Sequence, residues 1–452
     1  MIGCARRNLG AVSVQDCSDL NHEKRPAPLA RPVVSIFQRL LGFAPSFLAF
    51  WISLISQPAA ADVLRILTSL PPATTDPFVQ AMQEQNPGLE VLVLNKNTVA
   101  AVEELLRGNA RSFDVFWASA PEAFEILSRA DGFASGNACD AAGASGYAPF
   151  AISSIGWTVS ATGSLAVPSR WDDLLDAAYE GQIGMAPPSR SGTMHMLAER
   201  FLQVRGWDDG WAFFLTLSRN LSTVTSRSFA VTDGVRSGRF GVGLTIDFLA
   251  GTSQPELVFY YGRPAMLFPA QIGVLTGAGD ASLGCTFVSL VVGNEGQRLL
   301  LEPDIGRIPV SEAIRQEAGD LIPSEITTAL RTRWLEYNAG LASDRFWAVN
   351  VLFDLAITDR LDERRALWNR LEALRGVAPV LEIDRIASQL KRLPITENEV
   401  LNLERGPAVS RVMELTDLPG PQRAVIRNWE ERIAGQLAAV EGAIAAMEGR
   451  RP

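Results

Sequence analysis

Small hydroxyl side chains lie where several apolar, β-prone stretches of the sequence end. The clearest case is the run GMAPPSRSGTMHM, Gly184–Met196, in which two prolines are followed by Ser191, Gly192 and Thr193 at the start of a predicted helix. The first turn of a helix has N–H groups without intrahelical acceptors and a partial positive charge, so it can hold a carboxylate or phosphate without lysine. We therefore predict that this helix start holds an anionic or hydroxyl-rich group. The alternative is that the hydroxyls only cap the helix.

The same residue types recur at other predicted strand ends. In open α/β sheets, ligands bind beyond the carboxyl ends of the strands. The predicted ligand-binding residues are Thr68, Ser69, Ser119, Ser191, Gly192, Thr193, Thr225, Ser226, Ser228 and Asp247. Of these, Thr225, Ser226 and Ser228 lie in a predicted loop after a helix. Asp247 ends the strand VGLTID and could accept hydrogen bonds from ligand hydroxyls or an amine.

Two arginines flank the predicted ligand loops. Arg190 precedes the SGT segment, and Arg227 lies between two of the candidate serines. Guanidinium groups suit carboxylates and phosphates, so both are possible anion contacts, although a solvated or structural role explains each equally well. Trp117 and Trp157 could also line a cleft, but we favour a place in the core.

Residue patterns that support catalysis or metal binding are absent from the sequence. It has no HExxH, no CxxC pair and no Walker loop, and His195 is the one histidine beyond the N-terminal segment. We therefore predict a protein that is not an enzyme, with no cofactor and no metal. His195 lies two residues after the SGT segment and could touch a ligand, but packing within its helix is the interpretation we favour.

The elements that must position these residues alternate between strand and helix from Asp62 onward. Strands alternating with helices of ten or more residues predict an α/β fold with a parallel sheet. The segment DPFVQAMQEQNP is a predicted helix with Asp76 as its cap and Pro77 at its first position. The segment PELVFYYGRPAMLFPAQIGVLTGAG, which starts at Pro255, is predicted to form two strands.

Strand patterns end near Ser311, and the remaining residues are predicted to be helical. In the last of these helices, apolar residues recur every three or four positions from Ile426 to Met447. Such a stripe most often packs on the core of its own chain, with a partner helix as the alternative.

The N-terminal residues are typical of an export signal. Arg31 and Arg39 precede the apolar run Leu40–Ile55, and a small-x-small pattern follows that ends at Ala61. We predict a signal peptide cleaved near Ala61/Asp62 and a mature protein in the periplasm, with an uncleaved anchor as the alternative. Residues 1–30 are polar, so the N-terminus is predicted to be over-extended, with the true start at Val33 or Val34.

The net charge limits the classes of binding partner, and the cysteines bear on the redox state of the compartment. The chain has 452 residues and a net charge of −9, which disfavours nucleic acid and anionic membranes as partners of its bulk surface. Cys139 and Cys285 are the cysteines that remain after the predicted cleavage. In an oxidising compartment they can pair as a disulfide, and two buried free thiols are the alternative.

A series of motifs resembles the bacterial periplasmic solute-binding proteins of ABC importers. More narrowly, it resembles their family 1 branch, which contains the iron(III)-type and phosphoglycerate transport regulatory proteins. The motifs are LTSLPP, FDVFWASAPEAFEIL, WDDLLDAAYEGQIGMAPPSRSGT, TSRSFAVTDGVRSGRFGVGLTIDF, PAQIGVLTGAG and GNEGQRLLLEPDIGRIPV. Their order along the chain, rather than any one of them, carries the resemblance.

The resemblance implies a type II periplasmic-binding-protein fold, with two lobes, a hinge and a ligand between the lobes. Lobe 1 would comprise residues 62–150 and 265–310, and lobe 2 residues 151–264; residues 311–452 would form an all-helical C-terminal extension. The implied function is capture of a small anionic or polyhydroxylated solute, possibly a phosphate ester, and its delivery to the permease subunits of an ABC transporter. The implied protein is a monomer that closes about its hinge. The alternative partner is a membrane sensor kinase.

The resemblance also raises ferric ion as an alternative ligand. Iron-binding relatives use paired tyrosines after the strand that here ends in IDFLA, where the sequence has no tyrosine. Tyr260 and Tyr261 are adjacent on a predicted strand, and neighbouring side chains on a strand point to opposite faces. We therefore predict no iron site.

Overall fold

The computed structural model describes residues 62–134, 139–250, 255–332, 337–403 and 420–450. The predicted signal peptide, its last residue Ala61 and the alternative start at Val33 or Val34 lie outside the described residues. All the described ranges belong to one compact unit, Pro58–Pro452. Among the helices of these ranges, none is both long and apolar enough to cross a membrane.

The described strands form one mixed sheet. They are β1 (Val63–Thr68), β2 (Glu90–Asn95), β3 (Val115–Ala118), β4 (Tyr147–Ser160), β5 (Ile183–Met185), β6 (Leu221–Val224), β7 (Val242–Ile246), β8 (Leu257–Val274) and β9 (Ile308–Pro309). Their order across the sheet is β2-β1-β3-β8-β4-β7-β5-β6, and β9 pairs with β4.

The sheet contains two parallel groups joined by two long antiparallel strands. Strands β1, β2 and β3 are parallel on one side, and β5, β6 and β7 are parallel on the other. Strands β4 and β8 run antiparallel to each other, β8 is also antiparallel to β3, and β4 is also antiparallel to β7. The prediction of a parallel sheet is therefore correct for the outer groups and wrong for the centre.

The prediction of two strands after Pro255 is wrong, because the structure has one continuous strand there, β8. It is continuous because β4 pairs with it on both sides of Pro264, with a register shift between Ile155 and Gly156. The residues between the two paired segments form a bulge, which keeps the long strand in one sheet.

Eight helices of the described residues pack around this sheet. They are α1 (Pro72–Gln85), α2 (Thr98–Leu106), α3 (Pro121–Arg129), α4 (Gly192–Arg205), α5 (Trp207–Leu217), α6 (Phe229–Arg236), α7 (Ala281–Val292) and α8 (Asn294–Leu299). The predicted start of the first helix is wrong: α1 begins at Pro72, and Asp76 and Pro77 lie inside it. Proline is favoured at the first helical position, and Pro72 takes that position one turn earlier than expected.

The region after Val310 is helical, as predicted. Its helices are α9 (Glu312–Ala318), α10 (Ser324–Thr332), α11 (Ala339–Ala356), α12 (Leu361–Glu372), α13 (Val380–Leu390), α14 (Glu397–Leu401) and α15 (Gly420–Glu448). The apolar stripe of α15 is buried in the core of the chain, and Trp429 lies against Trp347 with ring centroids 5.6 Å apart. The prediction that this stripe packs on its own chain is confirmed.

The C-terminal helices share a core with the helices of the sheet. The indole N–H of Trp207 in α5 donates to the carbonyl of Ile395 at 2.8 Å, and that of Trp368 in α12 donates to the carbonyl of Leu215 at 3.3 Å. Helix α11 contacts both α3 and α4. The division of residues 62–310 into two lobes stays a prediction.

Candidate functional site

A pocket lies at the carboxyl ends of β1 and β3, beside the loops that follow β5, β6 and β7, and it spans about 580 Å³ of space, open solvent at its mouth included. Its polar lining residues are Ser69, Asn95, Lys96, Asn97, Thr98, Ser119, Arg190, Ser191, Thr193, Arg227 and Ser228. Phe229, Ile246, Phe248 and Leu249 supply apolar surface. No acidic residue is among the described residues that line it.

Five helices begin at the pocket. The residues directly before their first turns all line it: Pro71 before α1, Asn97 before α2, Ala120 before α3, Ser191 before α4 and Ser228 before α6. The side chains of Asn97 and Ser191 also cap their helices by accepting a backbone N–H. The first turn of each helix carries partial positive charge. Five such ends around one space favour a negatively charged occupant.

The serine pair Ser191 and Ser228 leaves one hydroxyl proton for a ligand. Their Oγ atoms are 2.6 Å apart, and Ser191 Oγ also accepts the N–H of Met194 at 3.1 Å. Only one of the two hydroxyls can donate within the pair. The other proton remains available to an acceptor in the pocket.

A buried arginine supports Ser119 from beneath the pocket. Arg307 Nη2 donates to Ser119 Oγ at 3.1 Å and to Ser153 Oγ at 2.9 Å. Ser119 lines the pocket, whereas Arg307 is only 2% exposed. Burial lowers the pKa of Arg307 to about 10, while the charge of Asp247 opposes that shift, so the guanidinium stays charged at neutral pH.

Three further cations lie at the pocket wall. Arg190 and Arg227 are exposed and form no ion pair with the described residues, whereas Lys96 pairs with Glu104 of α2. Arginine presents a planar set of donors that matches a phosphate or carboxylate. The two unpaired arginines are free to meet an anionic ligand.

Four predicted ligand residues do not line the pocket. They are Thr68, Thr225, Ser226 and Asp247. The hydroxyl of Thr68 donates to the carbonyl of Trp117 at 2.7 Å, and that of Thr225 donates to the carbonyl of Arg227 at 2.9 Å. These hydroxyls therefore shape the loops. The segment that holds Thr225 follows strand β6 and not, as predicted, a helix.

Asp247 lies behind the pocket and organises its wall. Its carboxylate accepts the N–H of Ser154 at 2.8 Å and the N–H of Phe248 at 2.9 Å. The residue keeps some exposed surface, but protein atoms surround its carboxylate, and this burial raises its pKa to about 7. Asp247 thereby fixes the backbone that carries Phe248, which lines the pocket.

His195 packs between helices and does not line the pocket. It is fully buried, its Nδ1 lies 2.8 Å from Asn350 Oδ1, and its ring is 4.4 Å from that of Phe346. Burial lowers the pKa of His195 to about 3, which keeps the ring neutral. Trp117 and Trp157 are likewise fully buried, so the favoured interpretations of these three residues are correct.

The tyrosine pair lies apart from the pocket. Tyr260 and Tyr261 are consecutive residues of β8, and neither lines the pocket. Among the residues that the structure describes, no group of three His, Cys, Asp or Glu side chains could hold a metal ion. Cys139 and Cys285 form a disulfide whose Cα atoms are 5.2 Å apart.

A second depression lies around Val258 and Tyr260 and contains about 1030 Å³ of space. Its charged lining residue, Arg236, pairs with Asp233 and Glu256. The N-termini of α2, α3 and α4 are not part of it. The smaller pocket therefore has the better chemistry for a ligand.

Residues 142–317 match the family model described as bacterial extracellular solute-binding protein. Over these residues, the chain is similar to extracellular solute-binding proteins. This family is one of binding and transport proteins.

Several named proteins are similar to this chain in sequence or in fold. Phosphoglycerate transport regulatory protein PgtC of Salmonella typhimurium is 29% identical over 326 residues, which cover 69% of this chain and 80% of that protein. Periplasmic binding protein AfuA of Actinobacillus pleuropneumoniae has a TM-score of 0.56 at 15% identity, over 68% of this chain and 98% of AfuA. Apo ferric ion-binding protein A of Pasteurella haemolytica has a TM-score of 0.52 at 13% identity, over 67% and 98% of the two chains. The fold is that of the periplasmic binding proteins.

Sequence reasoning missed several residues of the pocket. Asn95, Lys96, Asn97 and Thr98 line it because β2 ends at its edge. Their position after a predicted strand was the signal that could have identified them. Arg307 had no comparable signal, because it acts through Ser119, a residue 188 positions away.

Proposed function

We propose that this protein is a periplasmic receptor that captures a small anionic solute, most simply a phosphate ester, and delivers it to an ABC permease. The observation that carries the proposal is the convergence of five helix N-termini with Arg190 and Arg227 in a pocket whose described lining has no acidic residue. Helix N-termini and guanidinium groups both favour phosphate and carboxylate groups.

Two similar proteins support this class of solute. The name of the Salmonella relative refers to phosphoglycerate transport, and AfuA was solved with fructose 6-phosphate bound. Free hydroxyl protons of the Ser191–Ser228 pair and of Thr193 would donate to the oxygens of such a group. The remaining polar wall, which includes Asn95 and Asn97, would contact hydroxyl groups on the carbon skeleton.

The test compares phosphorylated solutes with their unphosphorylated counterparts. We expect isothermal titration to detect binding of 3-phosphoglycerate or fructose 6-phosphate to the purified mature protein, and no binding of glycerate or fructose. Native mass spectrometry of protein purified without refolding would identify a solute retained from the cell. Equal affinity for a phosphate ester and its unphosphorylated counterpart would contradict the proposal, and a bound iron ion would replace it with the ferric alternative.

Export, hinge closure and the monomeric state belong to the same proposal. Cleavage near Ala61 would place the protein in the periplasm, where the Cys139–Cys285 disulfide can form. Closure of two lobes around β4 and β8 would enclose the solute. N-terminal sequencing of the mature protein, small-angle scattering with and without 3-phosphoglycerate, and light scattering measure these three properties.

A sensor is the second candidate function. The printed name of the Salmonella relative includes a regulatory role in transport. In that case the ligand-bound form would engage a membrane kinase rather than a permease. Deleting the gene would then abolish induction of transport by the solute, while a constitutively expressed permease would still take up the solute.

A further inference from the structure

Arg307 connects the end of β3 with the strand β4, two strands that lie on either side of β8 in the sheet. It directly precedes β9, whose residues Ile308 and Pro309 pair with Ile152 and Ala151. This antiparallel register places Arg307 beside Ser153. Its guanidinium reaches from there to Ser119, the residue that follows β3.

The guanidinium of Arg307 is buried and only partly hydrogen-bonded. Nη2 donates hydrogen bonds to Ser119 and Ser153, whereas Nε and Nη1 have no hydrogen-bond partner among the described residues. The group stacks over the ring of Phe248, with its central carbon 4.1 Å from the centroid. A buried guanidinium without a paired carboxylate has a high cost in solvation. The charge of Asp247 partly opposes the effect of this burial on the pKa of Arg307.

The hydrogen bond from Arg307 determines what Ser119 can offer a ligand. Ser119 Oγ accepts from Nη2, so its own proton cannot point toward the guanidinium. The adjacent positive charge also disfavours any ligand that approaches this oxygen with a donor. Ser119 is therefore left as a donor toward the pocket, which it lines.

We propose that Arg307 is a positioning and specificity-determining residue of the pocket: it fixes Ser119 as a donor and supplies buried positive charge beneath it, so that the site selects an oxyanion over a neutral hydroxyl group. This role rests on the proposed function, because it concerns the same solute. Arg307 would act through Ser119, because Arg307 itself does not line the pocket. Lysine at this position would keep the charge and could still donate to Ser119.

The test measures the affinity and stoichiometry of 3-phosphoglycerate and fructose 6-phosphate binding by isothermal titration. We expect Arg307→Met to weaken the affinity of the bound ester at least about tenfold, since hydrogen bonds to charged groups are worth roughly 1.5–3 kcal/mol. Arg307→Lys should retain most of the affinity. In a Ser119→Ala background, Arg307→Met should cost no more than about threefold, because only the long-range effect of the buried charge is then lost.

The matched control is Arg364→Met. Arg364 is also a fully buried arginine, but it lies in α12 and donates to the carbonyl oxygens of Ala356 and Leu390. Its loss should lower stability and the fraction of binding-competent protein while the affinity of that fraction stays unchanged. If Arg307 had only a structural role, Arg307→Met would likewise bind at lower stoichiometry and with unchanged affinity. Titration measures the two quantities separately and so distinguishes this outcome from a loss of affinity.

Two results would overturn this role. The first is wild-type affinity in Arg307→Met at reduced stoichiometry, and the second is an equal loss with and without Ser119. Wild-type protein that binds neither ester would instead overturn the proposed function, and the role of Arg307 with it.

Discussion

Helix α4 takes part in two polar regions of opposite character. At its first turn, Ser191 and Thr193 line the pocket, where hydroxyl and N–H donors face open space. Along its length, polar side chains face α11 and are paired and buried: Glu199 accepts from Arg345 at 2.5 Å, and His195 meets Asn350 at 2.8 Å. We call this second region the α4–α11 seam.

The contrast shows how to separate binding residues from structural ones when their types are the same. A buried polar group is usually satisfied by a protein partner, as the carboxylate of Glu199 and Nδ1 of His195 are. A donor at the edge of a cavity has no such partner until a ligand arrives. The seam should therefore govern stability and the pocket should govern affinity, and each prediction below tests that separation.

The largest effect is expected at the ion pair of the seam. Glu199 and Arg345 are 0% and 1% exposed, so Arg345→Met leaves a buried carboxylate without its cation. Loss of one partner of a buried pair costs about 3–5 kcal/mol. Urea unfolding should show this loss, whereas the affinity for 3-phosphoglycerate should stay within about twofold of wild type.

The double variant Glu199→Gln/Arg345→Met is the control for this prediction. It removes the two buried charges and leaves only Glu397, a partly exposed second partner of Arg345, without its cation, so it should recover a substantial part of the lost stability. A double variant as unstable as the sum of the single variants would show that the pair does not act as a unit.

The second prediction concerns pH and Glu122, which belongs to α3 and lies against the C-terminal helices. The pKa of Glu122 is raised from 4.5 to about 8, mainly by burial and to a smaller extent by the charge of Glu199. The hydroxyl of Tyr337 donates to its carboxylate at 3.1 Å, which lowers the pKa but does not offset the burial. The folded state therefore holds a proton that the unfolded state releases above pH 4.5. This contribution to stability is fully present below pH 4.5 and is lost as pH rises to about 8, at up to about 1.4 kcal/mol per pH unit.

Glu122→Gln should flatten that decline, because the amide does not titrate. The decline is measured by determining the unfolding free energy of both proteins at several pH values between 5 and about 8. The raised pKa of Asp247, about 7, gives a slope of the same sign, so the variant should reduce the decline without abolishing it. An unchanged slope in Glu122→Gln would show that Glu122 is ionised in the folded protein.

The third prediction concerns the pocket end of α4. Ser191→Ala removes both a helix cap and a pocket hydroxyl, so it should cost about 1 kcal/mol of stability and weaken ester binding about tenfold. Ser311→Ala is the matched control, because Ser311 caps α9 through the N–H of Ile314 and does not line the pocket. It should lose similar stability and no affinity. Equal affinities of the two variants would mean that Ser191 only caps its helix.

The sequence predicted the local features of this protein better than its long-range ones. The alternation of strands and helices, the helical region after Val310 and the burial of the α15 stripe all follow from periodicity, which is a local property. The pocket positions of Ser69, Ser119 and Ser191 follow from the rule that ligands lie beyond strand ends. That these residues bind the solute remains a prediction.

What the sequence did not predict depends on contacts between distant segments. Thr68 follows the same strand-end rule as Ser69, yet its hydroxyl bonds to Trp117, which lies 49 positions away. Arg307 reaches Ser153 and Ser119 across 154 and 188 positions. Periodicity within a window carries no information on such pairs, so the support beneath the pocket becomes visible only in three dimensions.

The smallest effect is expected where the C-terminal helices meet α3 at the surface. Arg129 pairs with Asp344 at 2.6 Å, and both side chains are about one-third exposed, at 33% and 31%. Solvent and salt screen such a pair, so Asp344→Asn should cost no more than about 1 kcal/mol, and less as salt is added. Thermal unfolding at low and high salt measures this, with Arg345→Met as the buried counterpart. If Asp344→Asn lost as much stability as Arg345→Met, the exposed pair would contribute as much to the unfolding free energy as the buried pair of the seam. Burial would then no longer explain which charged pairs hold the C-terminal helices in place.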